Sequence, residues 1–269
     1  MKIFETHAHY DDEAFNEDRD ELINSFHKKN IYAVTNIGAD LAGCRATMEL
    51  IKKYDFFYGA IGIHPSDVGD LEAFKDDEKA LNILKDMILS HERVVAIGEI
   101  GLDYHYDDTD KPLQKKWFVK QLKLARELKL PIVIHSRDAA MDTIDIMKHE
   151  HSEEIGGVIH CYSYSKEIAK TFLDMGFYIG VGGVLTFKNS KKLKETVAYA
   201  PLDRIVLETD SPYLAPEPNR GKRNSSLNIP YVAEEIAAIK GVSVEEVYNT
   251  IWNNSLKLYN ISDECETKH

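Results

Sequence analysis

Short apolar runs rich in β-branched residues recur along the whole chain: KIFET, IYAVTNIG, FFYGAIGI, RVVAIGEIG, LPIVIHS, GGVIHCY, FYIGVGG and RIVLETD. Each has the length of a strand, and most are apolar throughout rather than alternating, which marks strands buried on both faces. Between most of them lie segments with apolar residues at helical spacing. LQKKWFVKQLKLARELKL runs up to Pro131, and SKEIAKTFLDMG closes at Gly176, where glycine takes a left-handed cap without strain. Eight strand candidates alternating with helices over 269 residues predict an α/β fold, a single (β/α)8 barrel of TIM type. A doubly wound open sheet is the alternative. No low-complexity linker or long charge block divides the chain, so residues 1–269 read as one domain. The segments NIPYVAEEIAAIKG and SVEEVYNTIWNNSLKLYN are expected outside the barrel, and ISDECETKH, residues 261–269, as a frayed end.

The polar residues that interrupt these runs fall at their C-terminal ends. His7 and His9 follow the first run, His64 the third, Glu99 the fourth, His135 the fifth, His160 the sixth and Asp210 the last. In an extended segment residues two apart point the same way, so His7 and His9 reach one point. A closed parallel barrel gathers all of these ends on one rim, where such barrels build their active sites. His7, His9, Glu99, His135, His160 and Asp210 then form a set of four imidazoles and two carboxylates, enough for two divalent cations if one carboxylate bridges. A single histidine ending a buried strand is more often structural. Six together would be several buried ionisable groups without partners, which is costly.

The blocks THAHY, GIHPSD, AIGEIGLDY, LPIVIHSRDA, GGVIHCYS, LETDSPYL and RGKRNSS occur in this order and span nearly the whole chain. In them the chain resembles the TatD family of metal-dependent deoxyribonucleases, within the wider amidohydrolase-like group of metal barrels. The resemblance implies a (β/α)8 barrel, two divalent metals and hydrolysis of phosphodiester bonds in DNA, of exonuclease type. Carried onto this chain, it assigns His7, His9 and Asp210 to one metal, His135 and His160 to the other, and Glu99 to both. Two departures concern the substrate groove: Tyr164 stands where the HCYS block usually continues with glycine, and Ser225 where an acidic residue usually follows RGKRN.

Two adjacent cations, as zinc, manganese or magnesium, activate a water near neutrality and polarise a phosphoryl oxygen, which suits phosphodiester hydrolysis. Glu99 and Asp210 are the catalytic candidates, Asp210 as acceptor of the water's proton. Glu208 reads as a carboxylate that supports the ligands or lies inside the barrel, and stays outside the catalytic set. For phosphate, the candidates are His64, Arg137 and the loop residues Arg220, Lys222 and Arg223, because forked guanidinium donors match phosphate oxygens. Tyr104, Tyr106, Tyr162 and Tyr164 are candidates for stacking on unpaired bases.

Composition narrows the setting. With 45 acidic and 33 basic residues the net charge is -12, which excludes a broad basic surface coating nucleic acid. DNA ends or single strands are therefore a better substrate than long duplex. Three scattered cysteines suggest neither a disulfide framework nor a cysteine metal site, and fit a reducing cytosol. No signal-like or membrane-spanning run is seen, so a cytoplasmic protein without membrane contact or obligate protein partner is expected. Two rival classes remain. A metal hydrolase of C–N or ester bonds in small molecules shares the opening H-x-H and the final aspartate, and the basic RGKRN loop, suited to phosphates, argues against it. A structural metal would use a closed four-ligand set.

Overall fold

The computed structural model describes residues 1–262. Eight strands, β1 (Ile3–Ala8), β2 (Ile31–Ile37), β3 (Phe57–Ala60), β4 (Val94–Asp103), β5 (Ile132–Arg137), β6 (Gly157–Ile159), β7 (Tyr178–Val181) and β8 (Ile205–Leu207), pair in chain order. Every pairing is parallel, with Val34 opposite Phe57, Ile132 opposite Gly157 and Ile179 opposite Ile205. The ring closes between its last and first strands: Ala8 bridges Ser211, Asp210 N–H donates to His7 O at 2.9 Å, and His9 N–H to Ser211 O at 2.8 Å. This is the (β/α)8 barrel expected from the alternation, with the closing contacts made by the two segments that carry the candidate ligands His7, His9 and Asp210.

Burial on both faces explains the continuous apolar runs. All six residues of β1 and all ten of β4 are buried. The helices cover the outside through one face each. Helix Lys111–Leu128 starts where the Asp110 side chain accepts from Leu113 N–H and Pro112 occupies the first turn, and it buries Trp117, Phe118, Leu122 and Ala125. Helix Lys166–Asp174 gives way two residues later to Gly176 at φ 84°, the left-handed closure read from the sequence.

Strand lengths differ from the apolar runs for local reasons. FFYGAIGI suggests a strand to Ile63, yet β3 stops at Ala60, because the buried backbone of Ile63 pairs with a side chain instead. Gln121 Oε1 accepts from Ile63 N–H at 2.8 Å and its amide donates back to Ile63 O at 3.1 Å. β4 runs past its apolar stretch to Asp103 because Leu102 and Asp103 still pair with Ser136 and Arg137 of β5. At the C-terminus, helix Val244–Leu258 packs outside the barrel and Ile261 N–H donates to Leu256 O at 2.9 Å. Residues 263–269, where most of the expected frayed end falls, lie outside the described residues. Among the described residues no helix is long and apolar enough to cross a membrane.

Candidate metal centre

The strand ends deliver the six candidate ligands to one rim. His7 lies in β1 and His9 just after it, Glu99 in β4, His135 in β5, His160 just after β6, and Asp210 three residues after β8. Their heads converge. His7 Nε2 is 3.3 Å from His9 Nε2 and 3.4 Å from Glu99 Oε2, and Asp210 Oδ1 stands 3.4 Å from His9 Nε2 and 3.7 Å from His7 Nε2. The other Glu99 oxygen faces elsewhere: Oε1 lies 2.7 Å from both His135 Nδ1 and His160 Nε2. One carboxylate thus divides two sets of donors, each of them compact enough to surround a cation.

Tautomers can be read from the outward contacts. His9 Nδ1 is 3.0 Å from Ile37 O, an acceptor only, so Nδ1 carries the proton and neutral His9 turns a lone pair at Nε2 inward. His135 Nε2 is 3.0 Å from Asp103 Oδ2, which leaves Nδ1 for the centre in the same manner. His64 is the opposite case. Its Nδ1 accepts from Ser66 N–H at 3.1 Å, so neutral His64 presents an Nε2–H donor to the site, 3.9 Å from Glu99 Oε1.

Electrostatics agree with a site short of positive charge. Burial raises the Glu99 carboxyl's pKa, but the charge of His160 and the hydrogen bonds from His135 and His160 outweigh it and hold the group well below the usual range. Burial pulls His9 and His135 down, yet Asp210 lifts His9 to about 9, and Asp103 with Glu99 lifts His135 to about 9. Burial drives His7 to about 4 and His64 to about 3. Protons on His9, His135 and His160 therefore supply the charge that Glu99 and Asp210 require. Imidazole nitrogens and carboxylate oxygens with two nitrogens only 3.3 Å apart form a donor set that suits borderline divalent cations, which displace such protons on binding.

The chain matches the model of the TatD related DNase family over residues 4–260. It belongs to that family. It is 43% identical over 260 residues to the metal-dependent hydrolase YabD of Bacillus subtilis (strain 168), covering 97% of this chain and 100% of the relative. YcfH of Escherichia coli (strain K12), also called a metal-dependent hydrolase, is 35% identical over 264 residues, 97% of each chain. Among solved structures, the TatD homologue YjjV of Escherichia coli K12 superposes with a TM-score of 0.88 at 27% identity, covering 97% of this chain and 98% of that one. The protein is thus a TatD-family metal-dependent hydrolase.

In this TatD-family chain, further carboxylates support the ligands. Asp103 follows Glu99 by four residues on the same strand, hence on the same face, and its bond to His135 was legible only as that alternation within GEIGLD. Glu5, fully buried, accepts from His7 N–H at 3.1 Å, Thr209 N–H at 2.9 Å, Thr209 Oγ1 at 2.6 Å and Ser226 Oγ at 2.9 Å, tying β1 to the segment that carries Asp210. Glu208 accepts from Cys161 N–H at 2.5 Å and approaches His160 Nδ1 to 3.9 Å. Gly180 makes room for it, since a Cβ there would meet Glu208 Oε2 at 2.3 Å. Glu208 is 1% exposed and its hydrogen bond goes to the backbone of Cys161.

Asp103→Ala should weaken binding of one cation by roughly 10- to 100-fold while the other is retained, because an unanchored His135 loses its ligating tautomer and orientation. Chelator competition on the reconstituted protein measures this. Asp103→Asn, which keeps an acceptor for Nε2–H, should recover part of the loss. Equal affinities in all three proteins would confine Asp103 to holding the strand end, where it also accepts from His105 N–H at 2.9 Å.

The substrate-side candidates separate in space and in use. Arg137 ends β5, two residues beyond His135, and is exposed. The Arg223 guanidinium, although exposed, is tied down within the chain: it reaches Asp18 with two bonds of 2.7 and 2.6 Å, reaches Ala14 O at 2.7 Å and lies over Phe15. Arg220 lies over the Phe187 ring at 4.2 Å with Glu217 3.8 Å away, and Lys222 is exposed. Two exposed cations of the loop, Arg220 and Lys222, are therefore less committed than Arg223. Tyr164, one of the two departures, donates or accepts at Ser136 Oγ (2.9 Å) and receives Ala139 N–H (3.1 Å), fastening the end of β5.

Proposed function

We propose that this protein hydrolyses phosphodiester bonds of DNA, at ends or in unpaired strands, with His7, His9 and Asp210 holding one divalent cation, His135 and His160 a second, and Glu99 both. The observation that carries this reading is the division of Glu99, one oxygen toward His7 and His9 and the other toward His135 and His160. When bound, such a pair of cations supplies an activated water and polarises a phosphoryl oxygen. The chain's own residues do the rest. Asp210 is the more exposed of the two ligand carboxylates, at 18% against 4% for Glu99, so its carboxylate is open to a water and takes the proton. Neutral His64 donates Nε2–H to a phosphoryl oxygen. Arg137 and the loop cations Arg220 and Lys222 hold flanking phosphates, which the overall charge of -12 would otherwise repel.

Metal-free protein reconstituted with zinc, manganese or magnesium and offered end-labelled single- and double-stranded DNA beside a panel of esters and amides tests the reading. Cleavage of DNA with end-dependent products supports it; turnover of an amide or ester with DNA left intact overturns it. Within the same experiment, replacing Arg220 and Lys222 together by alanine should make the salt dependence of oligonucleotide binding shallower by up to about two counterions, with metal content unchanged. The ratio of oligonucleotide to small-diester turnover should fall with it. An unchanged salt slope would make the loop an ordinary solvated surface.

A further inference from the structure

We propose that Tyr106 and Arg137 form a nucleotide subsite beside the metal centre, Arg137 taking the phosphate next to the scissile one and the Tyr106 ring stacking on an unpaired DNA base. This rests on the phosphodiesterase reading above and narrows it to a strand whose base is free of its partner.

Arg137 is placed for that phosphate by strand geometry. It lies two residues after His135 on β5, on the same face and about 6.6 Å further toward the rim. Among the described residues it forms no ion pair, and its guanidinium lies 6.0 Å from the centroid of the Tyr106 ring. A guanidinium beside an aromatic face offers forked donors for a phosphate and a flat wall for the attached base at once.

Of the four tyrosines in these motifs, three are engaged. Tyr104 donates to Asp142 Oδ2 at 2.8 Å beneath Lys111, Tyr162 is 2% exposed and donates to Ser165 O at 2.6 Å, and Tyr164 fastens β5. Tyr106 is 58% exposed. Its loop is nonetheless fixed to the ligand strands. Tyr104 N–H donates to Arg137 O at 2.9 Å, Asp103 accepts from His105 N–H, and His105 Nδ1 is 3.1 Å from Asp138 Oδ2 with its ring edge-on to Tyr106 at 5.1 Å. A large ring flanked by His105 and Arg137, on a loop tied to β5 and left open to water, is a stacking platform for a base. A base inside a duplex has both faces covered by its neighbours, so this platform takes bases from single strands, frayed ends or extruded nucleotides.

The test pairs two single-stranded oligonucleotides that differ at the nucleotide beside the cleaved bond, one carrying its base and one an abasic tetrahydrofuran unit. Metal-reconstituted parent protein should prefer the first in kcat/KM by about 5- to 150-fold, the range of one base–aromatic stack. Tyr106→Ala should bring the ratio close to one, and Tyr106→Trp should preserve or raise it. Arg137→Ala should slow both oligonucleotides and reduce the salt slope of binding by about one counterion, with the ratio kept. A ratio near one in the parent, or an undiminished ratio in Tyr106→Ala, overturns the subsite while cleavage of both oligonucleotides leaves the phosphodiesterase reading standing. If the parent cleaves neither oligonucleotide but hydrolyses an ester or amide, the phosphodiesterase reading has failed and the subsite with it.

Discussion

Glu99→Ala should lower DNA hydrolysis by about 10³-fold or more and remove more than one metal ion per chain. Both effects follow from the division of one carboxylate between two donor sets. Its Oε2 is 3.4 Å from His7 Nε2 and 3.9 Å from His9 Nε2, and its Oε1 is 2.7 Å from His135 and His160, so in the proposed two-cation centre its loss would leave each cation one ligand short and remove the charge shared between them. The barrel should survive, because Glu99 belongs to the rim and not to the apolar layers formed by residues such as Ile97, Ile134 and Ile179. Circular dichroism and thermal unfolding check that, and elemental analysis counts the ions. Glu99→Gln separates the two roles: it keeps one oxygen and the side-chain volume, so one cation should bind more nearly normally than in the alanine variant while turnover stays low. Two ions per chain in Glu99→Ala would contradict the bridging role outright.

Much of the candidate centre was legible because its donor side chains sit where a parallel barrel must bring them together. Apolar runs buried on both faces dictated strands, and a polar residue at the C-terminal end of each run dictated a rim position, whatever the separation in sequence. What the alternation could not carry was the use of each side chain's remaining bonds. Arg223 and Lys222 look equivalent in RGKRN, yet only the approach of Asp18, 205 residues earlier in the chain, commits the arginine to a surface ion pair within the chain. The four tyrosines are likewise indistinguishable in sequence, and it is the distance of each hydroxyl from Asp142, Ser165 or Ser136 that leaves Tyr106 open. Asp103 lies within AIGEIGLDY, but a carboxylate that acts through His135 has no ligand spacing of its own to mark it. Strand ends followed the same logic, since β3 stopped where Gln121, on a helix 58 residues later than Ile63, satisfied the backbone.

Asp210→Asn should reduce kcat by roughly 10²- to 10⁴-fold, the usual contribution of a positioned proton acceptor, while metal content stays close to that of the parent. The substitution is well matched to the backbone. Asp210 has φ 56°, in the left-handed region that asparagine tolerates, and its N–H bond to His7 O at 2.9 Å closes the barrel whichever side chain it bears. The amide oxygen remains able to face His9 and His7, now 3.4 and 3.7 Å from the carboxylate, so a weak ligand is kept. A proton acceptor is not. Burial raises the carboxyl's pKa, but the hydrogen bond from His9 and the charge of His160 outweigh it, so Asp210 is ionised at neutral pH and carries no proton that would block acceptance. Measuring kcat over a range of metal concentrations distinguishes the two functions of the residue. A loss that persists at saturating metal assigns the proton transfer to Asp210; a rate fully restored by added metal makes it a ligand alone, and the acceptor must then be sought elsewhere on the rim.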